Sequence, residues 1–277
     1  MSRTESIYTL LDPSGQALLD EEYGKLLENI GTEAISMRVK NTNYSGEPTA
    51  GSVEIDRYHD AQIHDEGYAK TAGHGDKAKT KPVTINIGTD KENIQEIHQK
   101  DVAFKKSLDE YVGQLRGRQA TAAARHLDTV FWATAKSEGR QFKPYASVSG
   151  IDKQFDKAVV LLQNLSNNFI DGVDISDMFA IFDNDTYMEL KEEIDTKELP
   201  NVNTADGKVY YFHGVECEST HRLPEGVKFI LMVKGYSLGQ PAKFWYNPFF
   251  VPEYTNHIAM PMFFTYGTKA VAPESIL

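Results

Sequence analysis

The 277 residues include a single cysteine, Cys217, so no internal disulfide can form, which fits a reducing compartment. The sequons at Asn43, Asn164 and Asn184 carry no glycosylation meaning in such a setting. Long apolar runs are missing too, and none approaches the roughly 20 residues that span a bilayer. The opening stretch MSRTESIYTLLDPSGQALL starts charged but has no apolar h-region, so it does not read as a secretory signal. Positive charge is scarce: 29 Lys and Arg face 40 Asp and Glu, a net charge of −11. That balance argues against wrapping nucleic acid, because phosphate contacts are built from Lys and Arg. A phosphate loop, a dinucleotide fingerprint and a nucleophile elbow are all lacking. The glycines of AGHGDKAK lie between strand patterns and do not open a helix.

What is present is ordinary globular composition, 40% hydrophobic and 25% charged, which excludes wholesale disorder. The length allows one large domain or two modest ones. Charge is segregated along the chain. Residues 171–206 hold eleven acids and two bases, a net −9. The stretch YAKTAGHGDKAKTK, Tyr68–Lys81, holds four lysines and one acid, a net +3. Opposed patches of this kind suit a contact in which one copy's basic loop meets another copy's acidic segment.

Local patterns set the order of elements. Residues 1–40 read as an arm with short helical pieces. Tyr23, Leu26, Leu27 and Ile30 share a helical face that ends at Gly31. NTNYSGEPTAG is a turn-rich break. SVEIDRY and PVTINIG alternate as strands, with about 25 polar residues between them. A loop that long needs a use, and the simplest is a hairpin that lies on something else. Residues 92–138 carry a helical stripe through Phe104, Leu108, Tyr111 and Leu115, continued by Ala120, Ala123, Leu127, Val130 and Phe131. Gly113 and Gly117 mark a bend in this spine. A second helix is expected over residues 152–169, with Phe155, Val159, Leu162, Leu165 and Phe169 inward. DMFAIFDND then reads as a buried strand, and Asp183 or Asn184 caps the helix that follows it. The rest, KVYYFHG, VKFILMV, AKFWY and HIAMPMFFTYG, is strand-rich.

Three constellations could carry chemistry. His213, Cys217 and His221 offer two imidazoles and a thiol, but structural zinc takes close ligand pairs, and the plainer reading is a small buried cysteine. A Cys217 nucleophile would need a base such as His126 or His257, and no elbow surrounds it. Asp183, Asn184, Asp185 and Glu189 hint at calcium, but the glycine and distal glutamate of a calcium loop are missing, and a helix cap explains the same residues. No cofactor is expected. The chain invests instead in an arm, an outsized hairpin, a long helix and segregated charge, which are features for contacting copies of itself.

In that order the elements resemble the major capsid proteins of tailed bacteriophages, of the Hong Kong 97-like fold. The stretch from GSVEIDRYHD to HQKDVAF is similar to the extended loop of that family, down to the Lys-Pro-Val-Thr start of its second strand. FHGVECESTHRLPEGVKFILMVKG resembles the family's late Gly-Val step, irregular link, Pro-x-Gly and apolar strand. The resemblance implies an α+β fold with an N-terminal arm (1–45), an extended two-stranded loop (51–90), a peripheral domain with the spine helix (92–145 and 241–277) and an axial domain (146–240). It implies a non-enzymatic shell protein, made in the host cytoplasm and present in the virion. Copies would form the hexamers and pentamers of an icosahedral head around double-stranded DNA, held without sequence-specific binding and with no membrane. Implied partners are a portal protein, a decoration protein and a scaffolding protein. The scaffold is expected as a separate chain, because only 40 residues precede Asn41. Contact residues expected between subunits are Lys70, Lys77, Lys79 and Lys81 against Asp171, Asp174, Asp177, Glu192 and Glu193. An encapsulin-like nanocompartment enclosing a cargo enzyme is the rival reading. A hydrolase using His213, Cys217 and His221 is the remote one.

Overall fold

A computed structural model of the chain describes residues 6–46, 51–61, 63–72, 74, 79–103, 107–143, 150–197, 211–246, 249–250 and 257–277. In its first half lie helices α1 (Pro13–Glu33) and α2 (Ile35–Val39), strand β1 (Ser52–Tyr58), helix α3 (Tyr68–Ala72), strands β2 (Thr80–Asn86) and β3 (Thr89–His98), and helices α4 (Gln99–Ala103) and α5 (Leu108–Glu138). Helix α6 (Ile151–Gln163), strand β4 (Met178–Phe182), helix α7 (Asn184–Lys197) and strands β5 (Tyr211–Phe212), β6 (Val215–Ser219) and β7 (Phe229–Val233) follow. Strands β8 (Leu238–Gly239), β9 (Ala242–Trp245), β10 (Phe249–Phe250), β11 (His257–Tyr266) and β12 (Lys269–Ala270) close the chain. The chain folds as two compact units. The first takes Met1–Arg38, Ile87–Asp128 and Pro241–Gly267; the second takes Val39–Asn86, Thr129–Gln240 and Thr268–Leu277.

The first unit is built on β11. Its ten residues pair antiparallel with β3 along their full length, and on the other side with β10 at Ile258 and Ala259 and with β9 from Phe263 onward. Pro261 falls in the gap between those two short partners. A missing N–H there interrupts neither ladder. From α5, Arg116 donates to the Pro261 carbonyl at 3.3 Å, and Gln119 donates to Met260 O at 2.9 Å and Asn93 O at 3.0 Å. The core gathers Ile7, Leu10, Leu19, Ile97, Val112 and Ile258, all essentially without exposure. Helix α1 starts with Pro13 at its first turn, where the absent N–H is harmless. A Cβ on Gly15 would stand 2.0 Å from Thr9 O, so only glycine lets this helix fold back on the preceding turn.

The second unit holds a four-stranded sheet in the order β5-β6-β4-β7. Central β4 is buried at all five residues, parallel to β6 and antiparallel to β7, which explains its continuous apolar run. Phe155 of α6 lies 5.3 to 5.7 Å, centroid to centroid, from Phe182, Phe212 and Phe229. Burying each such side chain contributes roughly 1.5–3 kcal/mol. Strands β1 and β2 form a separate antiparallel hairpin, with Val53, Ile55 and Ile85 inward.

Several elements differ from the expectations. The N-terminal helix is not a set of short pieces: it runs 21 residues through Gly24 and Gly31, and Leu27 is exposed. Residues 92–98, expected as helix, belong to β3, because their partner β11 lies some 165 residues onward and no local pattern announces it. Helix α5 is 31 residues long and continuous through Gly113 and Gly117, about 46 Å at the rise of an α-helix. Its buried stripe also takes in Ala124 and Trp132, while Phe104 lies outside the described residues. Helix α6 stops at Gln163, since the Asn167 side chain accepts from the backbone N–H groups of Phe169 and Ile170 and turns the chain. The irregular link expected through Cys217 is strand β6, entered by a two-residue turn in which His213 (φ 50°) and Gly214 (φ 83°) are both left-handed. Among the described residues no helix is long and apolar enough to cross a membrane.

Candidate functional site

The hairpin β1–β2 is fastened at its base within the second unit. Val53, Ile55 and Arg57 alternate inward along β1. The two isoleucines Ile55 and Ile85 close over Gly239, where an added Cβ would meet their Cδ1 atoms at 2.9 and 2.6 Å. Arg57, 5% exposed, is ion-paired to Glu274 and donates to Tyr236 Oη at 3.3 Å. Its guanidinium sits 4.2 Å above the Phe169 ring. His59 packs on Phe169 at 4.5 Å, and the Asp60 N–H donates to Asn168 O at 2.9 Å. The strand pattern gave one signal of this clamp, an arginine in phase with Val53 and Ile55.

Beyond the clamp the described residues between 60 and 82 are exposed. Lys70 lies on α3, Lys79 just precedes β2 and Lys81 lies in it; all three are exposed, and among the described residues none is in an ion pair. Lys77 lies outside the described residues. The five acidic residues expected at the contact lie in two separate places in the same unit. Asp171, Asp174 and Asp177 line a groove with Lys234 and Tyr236. Glu192 and Glu193 line another, with Glu189, Gln154 and Lys228. Each has a lysine on its wall, so neither is purely acidic. Asp171 accepts from Ser166 Oγ at 3.1 Å, and Glu193 from the Asp152 N–H at 3.3 Å, which spends part of their hydrogen-bonding capacity locally.

The alternative constellations do not assemble. Cys217 is buried in the core of the second unit, its thiol 3.3 Å from Val215 O. Burial pushes that thiol up to about 12, which leaves it protonated and inert as a nucleophile at neutral pH. His213 sits in the β5–β6 turn with Nε2 3.3 Å from Asp156, and His221 is exposed in the loop after β6. His126 bonds Tyr266 Oη at 2.9 Å, and burial, then the charge of Lys91, lower its basicity. Asp183 precedes α7 and its carbonyl accepts from the Tyr187 N–H. Among the described residues the one close group of potential metal donors is Glu96, His98 and His257, which the sequence pattern did not single out as a set.

No protein-family model matches the chain, and no curated protein matches it in sequence. Solved structures do match in fold. A capsid chain of the cyanophage P-SCSP1u superposes with a TM-score of 0.57 at 14% identity, covering 86% of this chain and 84% of that one. A chain from Mycobacterium phage Che8 gives 0.57 at 17% identity, over 82% and 83%. The virus-like particle from Pyrococcus furiosus gives 0.58 at 13% identity, over 93% and 96%. The chain has the Hong Kong 97-like capsid fold. The α+β architecture is as expected, and within it lie the β1–β2 hairpin and helix α5.

Proposed function

We propose that this chain is a major capsid protein whose copies assemble into the hexamers and pentamers of an icosahedral head enclosing double-stranded DNA. The observation that carries the reading is the fold likeness to phage capsids along more than four-fifths of the chain. The exposed lysines Lys70, Lys79 and Lys81 of the hairpin and the acidic grooves of the second unit support it as contact surfaces. On this reading residues 1–45 are an arm, 51–90 the extended loop, 92–145 and 241–277 the peripheral domain, and 146–240 the axial domain. A separate scaffolding protein, a portal and a decoration protein are its partners, and it has no enzymatic role. Weak contacts suffice, because closure adds many of them. Lys70, Lys77, Lys79 and Lys81 of one copy face Asp171, Asp174, Asp177, Glu192 and Glu193 of another, fixing register.

Negative-stain microscopy tests the proposal, with the protein expressed alone and with its scaffold. Shells, tubes or sheets are expected, and a monodisperse monomer under both conditions overturns it. Reversing Lys77, Lys79 and Lys81 to glutamate tests the contact itself. Exposed pairs are worth about 0.2–1 kcal/mol each, so losing three weakens each contact by roughly three- to a hundredfold. Assembly should fail while the monomer stays folded; normal shells would sink the contact and leave the capsid reading standing.

A nanocompartment shell around a cargo enzyme is the second reading. It shares the fold, and the likeness to the Pyrococcus furiosus virus-like particle spans 93% of this chain. Purified particles discriminate: packaged DNA supports the head, and a stoichiometric cargo protein supports the compartment.

A further inference from the structure

We propose that Glu96, His98 and His257 form a binding site for one divalent transition-metal ion of the zinc class. The register of the first unit's sheet builds it. His98, the last residue of β3, is directly opposite His257, the first residue of β11. Glu96 lies two residues before His98 and so projects from the same face. Ile97 and Ile258, the pair between them, point the other way into the core with no exposure. Ala259, the partner of Glu96, adds only a methyl group to this face. The donor atoms of the three side chains all lie within 4.8 Å of one another. His257 Nδ1 is 3.7 Å from Glu96 Oε2, and the two imidazole rings are 3.4 Å apart between centroids.

Two imidazoles and a carboxylate are a donor set for zinc and its neighbours, whereas magnesium and calcium prefer oxygen alone. At bond lengths of about 2.0–2.2 Å, tetrahedral ligands stand about 3.3–3.6 Å from each other, within reach here by side-chain rotation. Glu96 is exposed and His98 and His257 are partly so, which gives an ion an entry path. Three protein ligands leave a fourth position for water. The bound ion would tie β3 to β11 at the end of their ladder, where fraying begins. This site does not depend on the capsid reading.

The test uses the tag-free full chain, stripped with a chelator and titrated with zinc by calorimetry at pH 7.5. Cobalt is added in parallel to read the visible bands of a low-coordinate site. One equivalent should bind with a dissociation constant in the micromolar range. Glu96→Gln, which alters only an exposed carboxylate, should weaken it about tenfold, and His98→Gln with His257→Gln should abolish it. Saturating zinc should raise the thermal midpoint of the parent protein and not of the double variant. Magnesium in large excess should not compete. Absence of binding at millimolar zinc overturns the proposal, and so does unchanged affinity in Glu96→Gln. Retention of the full equivalent by a folded double variant would place the ion on other histidines and overturn it equally.

Discussion

Arg57 offers the sharpest test of how the hairpin is held. The guanidinium is almost wholly buried and has three partners at once: Glu274, Tyr236 Oη and the Phe169 ring. Its charge-assisted bond to Glu274 is worth about 1.5–3 kcal/mol, and the contact over Phe169 about 0.5–2 kcal/mol. Glu274 keeps a side-chain exposure of 26%, so water partly compensates it once the arginine is gone. Arg57→Met, which keeps the apolar stem, should therefore cost about 3 kcal/mol, a fall in midpoint of roughly 6–12 °C. A double-mutant cycle with Glu274→Gln isolates the pair. Urea unfolding followed by circular dichroism, at a protein concentration too low for assembly, should give a coupling energy of about 1.5 kcal/mol or more. A coupling under about 0.5 kcal/mol would refute the reasoning: the hairpin base would then rest on Ile55, Ile85 and Gly239, and the buried charge would be incidental.

Two further outcomes follow from Lys40, which is half-buried, and Cys217, which is buried, in the second unit. Lys40 is held by burial at about 8, with Nζ donating to Gln240 O at 3.1 Å. Its folded pKa lies below the ordinary 10.5, so the unfolded chain holds more protons between those values and stability rises with pH across that window. Lys40→Met should stabilise at pH 7 by about 1–2 kcal/mol, and the gain should shrink by pH 10.5; a loss of stability at pH 7 would contradict this. Cys217 has the opposite sign. Its folded value of about 12 exceeds the ordinary 9.0, so its contribution is intact below about 9 and is lost as pH rises toward 12. A thiol reagent at pH 8 should leave the folded protein untouched and modify it fully in urea; rapid labelling of the folded state would show the thiol accessible.

The parts that were legible in the sequence are those whose signal is local. The alternation of Val53, Ile55 and Val83, Ile85 marks β1 and β2, and the apolar run Met178–Phe182 marks a strand covered on both faces. The stripe from Leu108 to Phe131 marks α5. The parts that were not legible depend on distant partners. β3 is mostly polar, with Ile94 and Ile97 its only apolar residues, and looks like the approach to a helix until β11 supplies its hydrogen bonds. β6 hides behind a His-Gly turn that lacks the usual Asn or Asp, and it becomes a strand because β4 runs beside it. The acidic run appeared as one patch, because counting charge along a chain ignores which way each side chain leaves the backbone; the fold places Asp171, Asp174 and Asp177 in one groove and Glu189, Glu192 and Glu193 in another.

By itself, then, the sequence determined the element types with local periodicity, the segregation of charge and the exclusion of disulfide or phosphate-loop chemistry. The inert state of Cys217, the Arg57 clamp and the meeting of Glu96, His98 and His257 were decided by tertiary structure alone. Each depends on residues brought together across long separations, such as the 159 between His98 and His257, and strand register and burial, not spacing along the chain, set those distances.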